Sequence, residues 1–295
     1  MIIIKFAVMK DNIKEREVIG IGEVLWDILP DGTKMLGGAP ANFAYHVMSQ
    51  GISAVVVSAV GDDSNGMELC RSLQAKQLPT AIEVVEFPTG AVNVELDDCG
   101  IPQYDIIENV AWDNIPATES VLVLARSASA VCFGSLAQRF EVSKATIRTI
   151  VQSVPDDALR VFDVNLRQHY YSSETLEWSM SHCDVLKLND EELQCFVQLF
   201  DLNGDETDCC RQLISRYEIS QVVLTKGAEG SLVVTSKTSN FVPAVSVEVV
   251  DTIGAGDAFT ATYIASILKG KSIVEAQYAA SVEAAHVCSH AGAMP

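Results

Sequence analysis

The sequence predicts an α/β protein: a central, mostly parallel sheet with helices on both faces, plus a small β-sheet lid. Three observations predict it. Short apolar runs rich in β-branched residues alternate with helix-period segments, as in strand–helix–strand units. The runs are mostly apolar on both faces, as strands covered on both faces must be. Two other stretches alternate apolar with polar residues, which suits strands with one wet face.

Along the chain, residues 18–26 read as a strand and residues 39–50 as a helix stopped by Gly51. Residues 54–60 form a continuous apolar strand, followed by a helix over 65–76. Further strands are expected at 130–133, 159–165, 184–188 and 221–225. Helices near 142–153, 175–181, 190–200 and 206–217 fall between most of them. A β-rich run at 245–250 leads into a glycine loop. The helical pattern of Phe259, Tyr263, Ile264, Ile267 and Leu268 then stops at Gly270. Residues 91–96 alternate with Val92, Val94 and Leu96 inward, Asp97-Asp98-Cys99-Gly100 supplies a turn, and 103–107 alternate again, which makes a hairpin. Residues 27–36, turning at Pro30-Asp31-Gly32, look similar. These two stretches, about 27–36 and 90–110, are expected to form the lid of one domain spanning residues 1–295.

Composition narrows the partners. Hydrophobic residues make up 48% of the 295, enough for a large core. The balance of 20 basic against 39 acidic residues, a net of −19, opposes binding to nucleic acid or to an anionic membrane surface. Eight cysteines without a CxxC pair read as free thiols of a reducing, cytoplasmic compartment. No apolar run approaches the roughly 18 residues of a membrane span. Residues 1–8 are apolar but make a poor signal peptide, and read as an extra edge strand or a misplaced start.

The strongest chemical signal is Asp251-Thr252-Ile253-Gly254-Ala255-Gly256-Asp257. It joins the β-rich run to a helix. Its glycines let backbone approach a ligand, and the first helical turn offers free N–H groups at the positive end of the dipole. A carboxylate, Asp257, sits inside that anion site. Such a site suits a transferring phosphoryl group, with Gly254, Ala255 and Gly256 stabilising charge and Asp257 accepting a hydroxyl proton. No GxxxxGK[ST] loop occurs, so the route to ATP is not a P-loop.

The segment 251–259, DTIGAGDAF, resembles the C-terminal signature of the PfkB-type carbohydrate kinases of the ribokinase-like superfamily. Gly37-Gly38-Ala39-Pro40-Ala41-Asn42-Phe43-Ala44 resembles its N-terminal signature, and the resemblance covers about residues 18–295. It implies transfer of a phosphoryl group from ATP to a sugar hydroxyl beneath a lid. It also implies that Asn189 and Glu192, as an NxxE motif, organise Mg²⁺ and its waters. Thr225, Gly227 and Gly230 would contact the nucleotide's phosphates and ribose, and the helix 273–289 would flank adenine. Asp251 and Ile253, with backbone near 285–292, match a K⁺ site. The chain stops soon after Gly292, so that site is expected to lack some of its completing residues.

On the acceptor side, the resemblance implies that Asp27, Gly37, Gly38 and Asn42 hold the sugar. An aspartate at the end of a strand can accept from two vicinal hydroxyls. Three further stretches resemble the fructokinase branch: Gly100–Tyr104 leading to Ala111-Trp112-Asp113, Phe133–Arg139, and Asp163-Val164-Asn165-Leu166-Arg167. Asn165 and Arg167 would stand at a strand's C-terminal end, where open α/β sheets carry their sites. Tyr104 and Ile106 would cover the sugar ring. The expected reaction is fructose to fructose 6-phosphate. Ribose, 2-keto-3-deoxygluconate, a nucleoside, or a non-catalytic sugar-binding homologue are the alternatives. Exposed lid edges suit a homodimer. No histidine is assigned a catalytic role.

Overall fold

The computed structural model describes residues 16–96 and 102–295. The segment 1–8 and the expected turn at 97–100 lie outside the described residues. Among those described, the largest sheet has nine strands. In chain order they are β1 (Val18–Ile21), β4 (Ala54–Gly61), β5 (Thr80–Val85), β8 (Ala130–Phe133), β9 (Leu159–Asp163), β10 (Val185–Asn189), β11 (Gln221–Thr225), β12 (Gly230–Thr235) and β13 (Ser239–Pro243). Their spatial order is β13-β12-β11-β10-β9-β8-β1-β4-β5, and β12 alone runs against the others, so that its pairings with β11 and β13 are antiparallel.

Each central strand is buried along its length because both faces are covered. Ile19 and Ile21 face one core with Val121, Ile147, Met180 and Phe196. These come from helices α3 (Glu119–Ser127), α4 (Glu141–Ser153), α5 (Ser173–Ser181) and α6 (Asp190–Phe200), with α7 (Glu206–Tyr217) alongside. Val18 and Val56 face the other core with Phe43, Leu69, Ile264 and Ala280. These come from α1 (Ala39–Ser49), α2 (Ser64–Ala75), α8 (Ala255–Leu268) and α9 (Ile273–Cys288).

The lid stretches form a separate sheet in the order β3-β2-β6-β7. Its members are β2 (Leu25–Ile28), β3 (Lys34–Gly37), β6 (Ala91–Leu96) and β7 (Pro102–Ile106). Val92 and Val94 are buried as their alternation predicts.

Two expectations fail. Residues 18–26 are not one strand: Gly22 N still donates to Val57 O of the large sheet, but Trp26 N donates to Gly90 O in the small one. The chain changes sheets between them, and an apolar run carries no mark of that. Residues 245–250 form no strand. Val249 and Val250 are over 60% exposed, so valine propensity finds no surface to pack on. Strands β5, β12 and β13 and helix α3 were not foreseen.

Candidate active site

Loop 251–254 delivers the chain into α8 with Gly254 as N-cap at φ 77°. A Cβ there would lie 2.4 Å from the Ala293 side chain, so the position needs glycine on both counts. The first turn then presents N–H groups that no helical carbonyl can reach. Asp257 stands in that turn, half-buried, and its Oδ2 accepts from Asn42 Nδ2 at 2.7 Å. Asn42 lies on α1, whose entry is set by Gly38 at φ 120°, where a Cβ would lie 2.4 Å from Glu23 O. The two signature segments thus meet in one hydrogen bond. Asn42 Oδ1 is buried without a protein partner, leaving an acceptor free for a donor from outside the chain.

Burial pushes the Asp257 carboxyl up to about 6, and the charge of Asp163 adds to the rise. Asn42, Lys187 and Arg167 oppose it. Asp163, at the end of β9, is paired in register with Lys187 of β10, whose Nζ lies 3.1 Å from Asp163 Oδ1. Thr260 Oγ1 donates to Asp163 Oδ2 at 2.8 Å. Burial alone would lower Lys187, but Asp163, Glu192 and Asp257 outweigh it and hold the ammonium above the usual lysine range. A Cβ on Gly256 would lie 3.3 Å from Lys187 Nζ, so this cation sits directly under the glycine loop.

Asp27, on β2, faces β3, where a Cβ on Gly37 would lie 2.4 Å from its Oδ2. Burial raises Asp27 to about 6, against the pull of Arg167. Glu23, buried in the crossing between sheets, rises to about 7 through burial, with Asp257 contributing. Arg167 is exposed, and its charge acts on Asp27, Glu23 and Asp257 alike. It follows Asn165, which holds φ 45° just beyond β9.

Asn189 and Glu192 close the start of α6 as a capping box. Glu192 Oε2 accepts from Asn189 N at 2.8 Å, and its Oε1 accepts from Leu166 N at 2.9 Å. One carboxylate therefore ties the β10–α6 junction to the Arg167 loop. Thr225 ends β11 opposite Asn189 in register. Gly227 (φ 49°) and Gly230 flank the turn that follows, and a Cβ on Gly230 would meet Val242 O at 2.1 Å, so strand packing by itself requires that glycine.

Asp251 accepts from Ile253 N and Gly292 N, both at 3.0 Å, and so ties the loop to the C-terminal segment. Tyr104 is exposed on β7. Ile106 is buried in the core, so of these two only Tyr104 is open to a ligand. Sequence reading missed Lys187, Asp163, Thr260 and Glu23. A usable signal existed: a lysine inside an apolar strand covered on both faces requires a buried anion. As a whole, the site joins a carboxylate raised toward neutrality to an anion cradle, which is the equipment for moving a phosphoryl group onto a hydroxyl.

Comparison with known proteins agrees with this chemistry. Residues 23–295 match the profile of the pfkB family carbohydrate kinases. The chain is similar to the fructokinase of Escherichia coli, 29% identical over 264 residues, covering 85% of this chain and 83% of that protein. It is similar to the structure of a sugar kinase of Pyrococcus horikoshii in complex with ATP, with a TM-score of 0.81, 27% identity, and coverage of 94% of each chain. It also resembles the fructokinase of Vibrio cholerae O395 in a fructose, ADP and calcium ion bound form, with a TM-score of 0.80, 25% identity, and 95% of each chain covered.

Proposed function

Because the chain belongs to the pfkB family of carbohydrate kinases and is an ATP-dependent sugar kinase, we propose that it phosphorylates fructose at its primary hydroxyl, giving fructose 6-phosphate. The observation that carries the reaction is the half-buried Asp257, held by Asn42 at the mouth of the Gly254–Gly256 cradle. Similarity to fructokinases supports the choice of sugar.

In this reading Asp27, Gly37, Gly38 and Asn42 hold the sugar, with Asn165 and Tyr104 at its rim. Asp257 takes the proton as the hydroxyl oxygen attacks the γ-phosphorus, and the bond to the β-phosphate oxygen breaks to release ADP. Backbone N–H groups at Gly254, Ala255 and Gly256 face the charge of the transferring group, and Arg167 adds a positive charge. Lys187 compensates Asp163 and Glu192, so that the base remains able to ionise near neutral pH.

Thr225, Gly227 and Gly230 flank the nucleotide, with α9 beside the adenine. Glu192 fits a role in Mg²⁺ binding. Each of its oxygens accepts one backbone N–H and keeps further lone pairs, and Mg²⁺ favours oxygen donors reached through water. Bound there, the ion would neutralise phosphate charge. Among the described residues no group of three or more metal-ligating side chains converges, so most of its ligands would be water and phosphate. A K⁺ ion would rest against Asp251 and the backbone at Ile253. Two copies would pair through exposed lid edges, and the free thiols among the described residues suit the cytoplasm. Among those residues no helix is long and apolar enough to cross a membrane.

The test is a coupled ADP-release assay over a sugar panel. Fructose should give the highest kcat/KM. A higher value for ribose, 2-keto-3-deoxygluconate or a nucleoside would replace the substrate, and no turnover with any acceptor would defeat the kinase reading.

A further inference from the structure

Two stretches singled out in the sequence, Ala111-Trp112-Asp113 and Phe133–Arg139, take no part in the chemistry above. They converge on Arg139. Its side chain is 2% exposed and pairs with Asp113, which is 1% exposed, through Nε–Oδ1 at 2.7 Å and Nη2–Oδ2 at 2.8 Å. The guanidinium lies 4.0 Å over the Trp112 ring and 4.6 Å over the Tyr170 ring. Nη2 also donates to Ile107 O at 2.6 Å, where the chain leaves lid strand β7. The edge of Trp112 fills the space beside Gly90, where the chain enters β6: a Cβ there would lie 2.3 Å from the indole. One cation thus reaches both chain crossings of the β6–β7 hairpin, the exit directly and the entry through Trp112.

The same cation stacks on the segment that carries Arg167. Tyr170 N donates to Arg167 O at 3.0 Å. The Tyr170 hydroxyl lies 2.9 Å from Glu108 Oε1 and 3.3 Å from Ile106 O. Gln168 Nε2 donates to Tyr104 O at 2.5 Å. The Arg167 segment is therefore tied to β7 at the carbonyls of Tyr104 and Ile106 and to its exit through Arg139. A fold needs an anchor for the hairpin, but stability alone gives no reason for the anchor to hold Arg167's loop as well.

We propose that Arg139, with Tyr170 and Gln168, is a positioning device for phosphoryl transfer: it locks the lid to the Arg167 loop, so that Arg167 and the lid's Asp27 address one bound sugar in a fixed relation. None of the three touches the reacting atoms. The inference rests on the sugar-kinase reading of the site.

Three variants test it. Gln168→Ala alters an exposed side chain, Tyr170→Phe keeps the ring under Arg139, and Arg139→Lys keeps the charge opposite Asp113 but not the fork. Steady-state kinetics for the best sugar of the panel is measured for each, along with ADP released per sugar phosphate formed. Loss of one ordinary hydrogen bond corresponds to about fivefold, and of charge-assisted bonds to about tenfold to a hundredfold. The expected result is a fall in the sugar's kcat/KM of about fivefold for Gln168→Ala and Tyr170→Phe, and more for Arg139→Lys. KM for ATP should stay within about twofold, and ADP release should exceed sugar phosphate as water competes for a loosely held Arg167 site. Gln168→Ala and Tyr170→Phe with wild-type kinetics and a ratio of one would overturn the inference. So would equal losses for sugar and ATP tracking a lowered Tm, because the residues would then serve the fold alone. Wild-type protein that phosphorylates no sugar defeats the kinase reading instead.

Discussion

Replacing Asp257 by Asn keeps the shape of the side chain and removes a charge, and its two consequences run in opposite directions. The Asn42 bond survives, since an amide oxygen can accept where Oδ2 did. Without a base, kcat should fall by at least about a hundredfold, the lower range for a positioned proton acceptor, while sugar and ATP still bind. Stability should rise. In the fold the Asp257 carboxyl moves from an ordinary 3.8 to about 6, a gap of about two pH units worth about 3 kcal/mol. The folded state binds the proton more tightly than the unfolded chain does. Wild-type stability is therefore unaffected by this group below pH about 4, falls as pH rises through the window, and stays reduced above about 6. Asp257→Asn escapes that penalty, so its advantage should be about 3 kcal/mol at pH 8 and about half of that at pH 5. Denaturant titrations of the ligand-free protein at the two pH values measure it, and the gain at pH 8 corresponds to a Tm rise of about 6 °C. Near-normal turnover would refute Asp257 as the base. A stability gain equal at both pH values would refute buried charge as its cause.

The pH profile of kcat/KM should fall on the acid side with an apparent pKa near 6 as Asp257 takes up a proton, with Asp27, raised to the same range, steepening the limb. A flat profile between pH 5 and 8 would count against both. Gly37→Ala should push Asp27 aside and raise KM for the sugar about tenfold or more at unchanged KM for ATP, read by steady-state kinetics. Glu192→Gln turns an amide NH₂ against a backbone N–H. It should cost about 1–3 kcal/mol by denaturant titration and raise the Mg²⁺ needed for half-maximal rate. Lys187→Met leaves Asp163 buried without its cation and should cost about 3–5 kcal/mol. Adding Asp163→Asn should restore most of that stability, and a double variant no better than the single would show that the pair is not the cause.

Much of the fold was legible because burial on both faces leaves a written trace: β4, β8 and β11 are largely apolar runs, while β6 alternates. The split at Gly22 left none, because β1 and β2 are apolar for different reasons and in different sheets. Residues 245–250 misled for the converse reason, since propensity without a packing partner does not make a strand. In the candidate site, Gly254 to Asp257 could be read locally because a glycine loop entering a helix has its chemistry in consecutive residues. Lys187 and Asp163 escaped that reading. They stand 24 residues apart in the chain, and only the register of β9 against β10 makes them neighbours.

The sequence by itself determined which side chains exist to be used: the anion loop, the carboxylate within it, the NxxE pair at a helix start and the family to which they belong. The tertiary structure decided what those groups are. Asn42 and Asp257, 215 residues apart, become hydrogen-bond partners through the packing of α1 on α8. Burial beside Asp163 and Lys187 sets the proton affinity of the base. Desolvation and Coulomb energy depend on distances through space and on what displaces water, and neither is a function of separation along the chain.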